Sequence, residues 1–112
     1  MSIRLRLDKP WRPLTADEIA RLPGQLGVYQ VADATGAILY IGQAGARAPF
    51  GLRSELQREL AERGPSNQFR VEVNQQYRTR WFELLMVHQA DHGILPPDNA
   101  KNPLPLGRLS PS

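Results

Sequence analysis

The stretch that most constrains the fold of this chain runs from Gly27 to Gly42, GVYQVADATGAILYIG. Val28, Tyr29 and Val31 give its first half the β-branched and aromatic character of a strand, and Ile38, Leu39, Tyr40 and Ile41 do the same for the second half. Between them lies Asp33-Ala34-Thr35-Gly36, in which Gly36 can take the positive φ that a hairpin connection often needs. The stretch therefore reads as two short antiparallel strands, each carrying a tyrosine near a glycine.

The flanking segments supply the rest of one domain. Residues 3–7, Ile-Arg-Leu-Arg-Leu, alternate apolar and basic, the pattern of a strand with one wet face, and Pro10 and Pro13 end it. Thr15-Ala16-Asp17-Glu18 has the form of a capping box, predicting a short helix from about 16 to 22 that Pro23-Gly24 stops. Residues 43–51, rich in Gly, Ala and Pro, read as a loop. Leu52, Leu56 and Leu60 mark one face of a helix over 52–63, closed by Gly64-Pro65. Phe69 to Val73 alternates strictly and predicts a third strand. Trp81, Leu84, Leu85 and His88 follow helical spacing within a helix over 78–92. The expected fold is a small α/β domain of the α+β type: a central antiparallel three-stranded sheet flanked by helices. Residues 1–24 form an N-terminal strand and helix packed on it, 25–102 the domain proper, and 103–112 a frayed tail.

A chain of 112 residues suffices for one core. Its 41 % apolar content suits a folded globule. No run approaches the roughly 18–20 apolar residues of a membrane span. The N-terminus lacks the apolar centre of a signal peptide, so the expected setting is cytoplasmic, away from membranes. With no cysteine, disulfides and thiolate metal sites are excluded. The formal charge is +3, and twelve of the fourteen basic residues are arginine, whose planar forks match phosphate. That balance is compatible with a nucleic-acid partner without establishing one.

The triplets Gly27-Val28-Tyr29 and Tyr40-Ile41-Gly42, on adjacent predicted strands, resemble the signature of the GIY-YIG nuclease superfamily. Glu83, inside a later helix, and the exit segment Pro96-Pro97-Asp98-Asn99 extend the resemblance over about residues 25–102. The resemblance implies hydrolysis of DNA phosphodiester bonds with one divalent ion, Mg²⁺ or Mn²⁺. Tyr29 and Tyr40 would handle the attacking water, with the choice of base left open. A tyrosine acting as base at neutral pH would need its pKa of about 10 lowered by a nearby cation. Gly27 and Gly42 would allow close approach, and Arg47 would lie at the substrate. Glu83 would be the metal ligand; the alternative is an exposed glutamate paired with Arg80 or His88.

The arginine that such a site needs is harder to place. Aligning Leu52 with the apolar start of the corresponding family helix puts Glu55 at the arginine position. Helical geometry favours Arg53, about 60° from the centre of the Leu52/Leu56/Leu60 face, whereas Arg58 lies about 160° away. Gln43 follows the second triplet where family members often carry a lysine shortly afterwards. These departures support a second reading, a degenerate module of the same fold that binds nucleic acid or protein without cutting. A chain this small would need a protein partner or a second copy to target an enzyme. His88 and His92 stand at i, i+4 but have no third ligand in view. Asn99 and Asn102 suit turn chemistry or the asparagine on which such domains often end.

Overall fold

The hairpin forms one side of a four-stranded sheet, with its second strand at the edge. A computed structural model of the chain describes residues 6–45 and 47–101. In chain order the elements are β1 (Arg12–Pro13), α1 (Ala16–Ala20), β2 (Gly27–Ala32), β3 (Ile38–Ala44), α2 (Leu52–Arg63), β4 (Gln68–Val73), α3 (Tyr77–His92) and α4 (Pro97–Ala100). The sheet order is β1-β4-β2-β3, with every pair antiparallel. The α+β class is as the sequence predicts. Among the described residues the count of three strands is corrected to four by β1, whose two residues pair with Gln68 and Phe69. A segment that short has no periodicity of its own and exists only through its partner.

The β2–β3 turn is built by Asp33. Its Oδ1 accepts from the backbone N–H groups of Thr35 and Ala37 and from the Thr35 hydroxyl, while Gly36 sits at φ +93°. These bonds hold the Asp33 carboxyl below the usual carboxylate range, with the Thr35 hydroxyl the largest cause. The Thr15 hydroxyl oxygen caps α1 by accepting from Glu18 N–H at 3.3 Å. The Glu18 carboxylate goes to Arg12 and Arg21. β3 runs on through Ala44, so the expected loop begins later than 43.

Alternation along β2 sorts side chains onto two faces. Tyr29 and Val31 face α1 and α2, in a core with Leu14, Ile19, Leu22, Leu52, Leu56 and Phe69. Val28 joins Ile41 and Leu7 on the other face, against Trp81, Leu84 and Leu85 of α3. The sheet is thus covered by helices on both faces. Of the strand expected at 3–7, residues 3–5 lie outside the described residues, and Arg6 and Leu7 are not in a strand. The tail from 103 also lies outside the described residues. Among the described residues, no helix is long and apolar enough to cross a membrane.

α4 was not foreseen. It closes the free edge of β3 through Asn99, whose Oδ1 accepts from Ile41 N–H at 2.8 Å and whose Nδ2 donates to Ile41 C=O at 2.9 Å. The side-chain amide takes the place a neighbouring strand would occupy. This replaces the turn role expected for Asn99; Asn102 lies outside the described residues.

Candidate functional site

The two tyrosines share one face of the sheet. Tyr29 lies opposite Gly42 and Tyr40 opposite Val31, so the rings are diagonal neighbours with centroids 6.0 Å apart. Tyr29 is fully buried, and its hydroxyl donates to Oε2 of Glu59 at 2.6 Å. Glu59, on α2, is 2 % exposed. Its other oxygen accepts from Arg63 Nε at 2.6 Å, and Arg63 reaches on to Asp98 at 2.6 Å. The Arg63 guanidinium also lies 5.6 Å from the centre of the Tyr40 ring. Asp98 is paired in turn with Lys101, and Arg58 stands 3.8 Å from Glu59. A chain of polar groups thus runs from the core through α2 to α4, and half-buried Tyr40 lines the cleft above it with Arg58, Arg63 and Lys101.

The electrostatics are opposite to what a tyrosine base requires. Burial, reinforced by the charge of Glu59, pushes the Tyr29 pKa well above its ordinary value of 10.0. Burial and then Glu59 also raise that of Tyr40. Each carboxylate here is held by a cation: Glu59 by Arg63, and Asp98 by Arg63 and Lys101.

The glycines of the two triplets are fixed by sterics. A Cβ on Gly27 would run into the backbone carbonyl of Glu72, in agreement with the expected close backbone approach. At Gly42 the group that comes close is the Tyr29 ring instead of a backbone: a Cβ would sit well under 3.0 Å from three of its atoms.

The remaining expected site residues do not join the tyrosines. Arg53 turns toward α1, where its Nε and Nη2 donate to Leu22 C=O at 3.0 and 2.8 Å. It satisfies the exit of that helix and is held away from the cleft. Glu83 lies on α3, which packs against the opposite face of the sheet. The expected convergence of Glu83 with Tyr29 and Tyr40 is therefore corrected. Glu83 pairs with Arg80 at 2.6 Å, and the nearly buried Arg80 is also held by Glu72. Arg47 is exposed and does not line the Tyr40 cleft.

The donor set does not fit the expected divalent ion. Glu83 faces a guanidinium, and no group of three His, Asp or Glu side chains able to hold a metal exists among the described residues. The His88 and His92 rings lie 4.4 Å apart, and His88 Nδ1 is 2.9 Å from Ile94 C=O, a distance that makes this nitrogen the protonated one.

Glu59, Arg63 and Asp98 escaped the sequence reading. The signal was present in α2: Leu52, Leu56, Glu59 and Arg63 follow i, i+4, i+7, i+11, a single stripe on a helix. A glutamate in a leucine stripe needs a buried donor, and Tyr29 is that donor. No curated protein and no solved structure matches the chain. Residues 5–91 match the model of a family described as a domain of unknown function, DUF7508, and the chain belongs to that family.

Proposed function

We propose that this chain is a module that binds nucleic acid, DNA in the first instance, on a GIY-YIG-like scaffold without cutting it. One observation carries the reading: the Tyr29 hydroxyl is closed inside the protein on Glu59, and Glu59 is already neutralised by Arg63. A hydrolase of the GIY-YIG kind needs a base within reach of water and a carboxylate free for a cation. Here Tyr29 is buried, the half-buried Tyr40 has its pKa raised by burial and by Glu59, and the carboxylate is paired.

Binding asks less of the surface: cations without internal counter-ions. Arg47 and Arg78 are exposed and form no ion pair among the described residues. They belong to one end of the molecule, because Gly45, at the start of the Arg47 loop, lies against the ring of Tyr77, the neighbour of Arg78. The first turn of α3 there carries no acidic residue and no side-chain cap, which leaves its N–H groups and dipole favourable to an anion. Exposed Phe50 belongs to the same loop and offers a face on which a base can stack.

The test is binding of labelled single- and double-stranded DNA at low salt, run beside a nicking assay on supercoiled DNA with Mg²⁺, Mn²⁺ or a chelator. The expected result is salt-sensitive binding, unchanged by the chelator, with no nicking. Metal-dependent nicking would overturn the reading in favour of a nuclease, and absence of binding at low salt would remove nucleic acid as the partner.

A further inference from the structure

On the α3 face of the sheet, away from the Tyr40 cleft, lies a cavity of about 190 Å³. Leu7, Gln30 and Leu84, all buried, form its floor, and Ile38 and Val87 add apolar wall. Two polar groups that line it have hydrogen-bonding capacity to spare. Gln30 is only 4 % exposed. Arg70 Nε donates to its Oε1 at 2.7 Å, which fixes the amide orientation and leaves Nε2 as a donor. Among the described residues Nε2 has no hydrogen-bond partner and no buried side-chain polar atom is unsatisfied, so Nε2 is solvent-accessible, on a residue that lines the cavity.

Arg70 is the second group. It stacks 4.1 Å from the centre of the Trp11 ring and donates to Lys9 C=O, but forms no ion pair among the described residues. Burial accordingly pushes its pKa down, with Asp8 a partial offset. The other charges at the rim are matched, since Arg6 grips Asp91 through two bonds of 2.9 and 2.6 Å. One half-buried guanidinium and one amide donor therefore line a partly apolar hollow whose lining carboxylate, Asp91, is already gripped by Arg6.

We infer that this cavity binds a small organic carboxylate with a short branched apolar tail. A carboxylate matches the guanidinium fork and accepts from Gln30 Nε2 as well, while the tail lies against Ile38, Leu84 and Val87. A neutral ligand leaves Arg70 without a counter-charge, and a phosphate dianion brings a second negative charge beside Asp91 and has no tail for Ile38, Leu84 and Val87. The cavity is smaller than the roughly 300–1,000 Å³ of drug-sized pockets, which limits the ligand to a few carbons.

The probe is isovalerate, titrated into ¹⁵N-labelled protein while the Arg70 Nε–H and Gln30 side-chain amide signals are followed by NMR. Isovaleramide, which lacks the charge, acetate, which lacks the tail, and inorganic phosphate are the comparisons. Saturable shifts of both side chains with isovalerate are expected, with affinity at least about tenfold above each comparison. Equal binding of any comparison, or shifts confined to other residues, overturns the assignment. Arg70→Gln should weaken isovalerate at least about tenfold, and unchanged affinity overturns it. Arg70 also anchors Trp11 and Lys9, so a second variant keeps the test decisive if Arg70→Gln does not fold. Val87→Trp then serves: it fills the hollow from a half-buried position with the guanidinium intact, and isovalerate binding that survives it overturns the assignment.

Discussion

Gly42 stands directly across the β2–β3 ladder from Tyr29, and the ring of Tyr29 occupies the space that a side chain at 42 would need. The ring cannot move aside easily, because its hydroxyl is anchored to Glu59 and its edges are packed among Leu52, Leu56 and Phe69. Gly42→Ala should therefore destabilise the domain by about 2–3 kcal/mol, the range for overpacking a closed core. Gly27→Ala should cost at least as much, since it meets the Glu72 backbone. Gly36→Ala meets nothing and is disfavoured only by its φ of +93°, so about 1 kcal/mol is expected. Urea unfolding of the three variants checks the order, and a Gly42→Ala variant as stable as Gly36→Ala would contradict it.

The Tyr29–Glu59 bond gives stability a dependence on alkaline pH. Folding raises the Tyr29 pKa above its unfolded value near 10, so between these two values the folded state holds a proton that the unfolded state has lost. The stabilisation is complete below about pH 10 and falls away as pH rises beyond it. Tyr29→Phe should reduce this alkaline slope to the part that Tyr40, also raised on folding, contributes, and cost about 1–2 kcal/mol at neutral pH through the unmet Glu59 oxygen. Glu59→Ala should cost about 2–3 kcal/mol, because it leaves the buried tyrosine hydroxyl without its acceptor and Arg63 Nε without its partner, although Arg63 keeps Asp98. Ultraviolet titration of tyrosine beside chemical denaturation checks both: a Tyr29 that ionises near pH 10 in folded protein would contradict the burial argument.

Asn99 should matter more than a residue in a four-residue helix ordinarily does. Asn99→Ala leaves the Ile41 N–H without its partner on the edge of β3, while Ile41 C=O keeps the Trp81 indole at 2.9 Å. A loss of about 2 kcal/mol is expected, with hydrogen exchange at Ile41 accelerating beyond that at Gln30 in the neighbouring strand. Asn99→Asp retains the acceptor but sets a buried carboxylate against Ile41 C=O. Its pKa is raised on folding, so this variant should regain stability as pH falls, whereas the wild type, with Asp98 held below the usual carboxylate range mainly by Arg63 and Lys101 against the desolvation that raises it, should lose stability.

The contrast between Asn99 and the hairpin shows what a sequence carries. β2, β3 and α2 were legible because their own residues repeat at the period of the element and their ends carry Asp33, Gly36 and Gly64. α4 and β1 were not: each is short and is defined by a partner distant in the chain, Ile41 for one and Phe69 for the other. For the site, the helical angles around Leu52, Leu56 and Leu60 placed Arg53 and Glu59 symmetrically, about 60° either side of the centre. Choosing the cation followed the chemistry expected at the cleft; packing chose the carboxylate, since Tyr29 needs an acceptor there and Arg53 finds Leu22 C=O on its own side. The face that α3 covers was equally open, because the apolar spacing of Trp81, Leu84 and Leu85 fits either side of a sheet.

Arg78 at the start of α3 and Arg47 in the loop between β3 and α2 give the proposed binding a quantitative signature. Each guanidinium that replaces a condensed counter-ion on DNA contributes about one to the slope of log K against log salt. With about three to four such contacts, the wild type should show a slope near −3. Arg47→Ala and Arg78→Ala should each make the slope shallower by about one and weaken binding across sequences alike. Neither arginine is paired among the described residues, so stability should stay within about 0.5 kcal/mol. Glu83→Gln is the control: its partner Arg80 remains held by Glu72, and the change lies away from the Arg47 loop, so both slope and fold should persist. If Arg47→Ala and Arg78→Ala leave the slope unchanged while DNA still binds, the contacts lie elsewhere, and the end of the molecule marked by Gly45 and Tyr77 is not the interface.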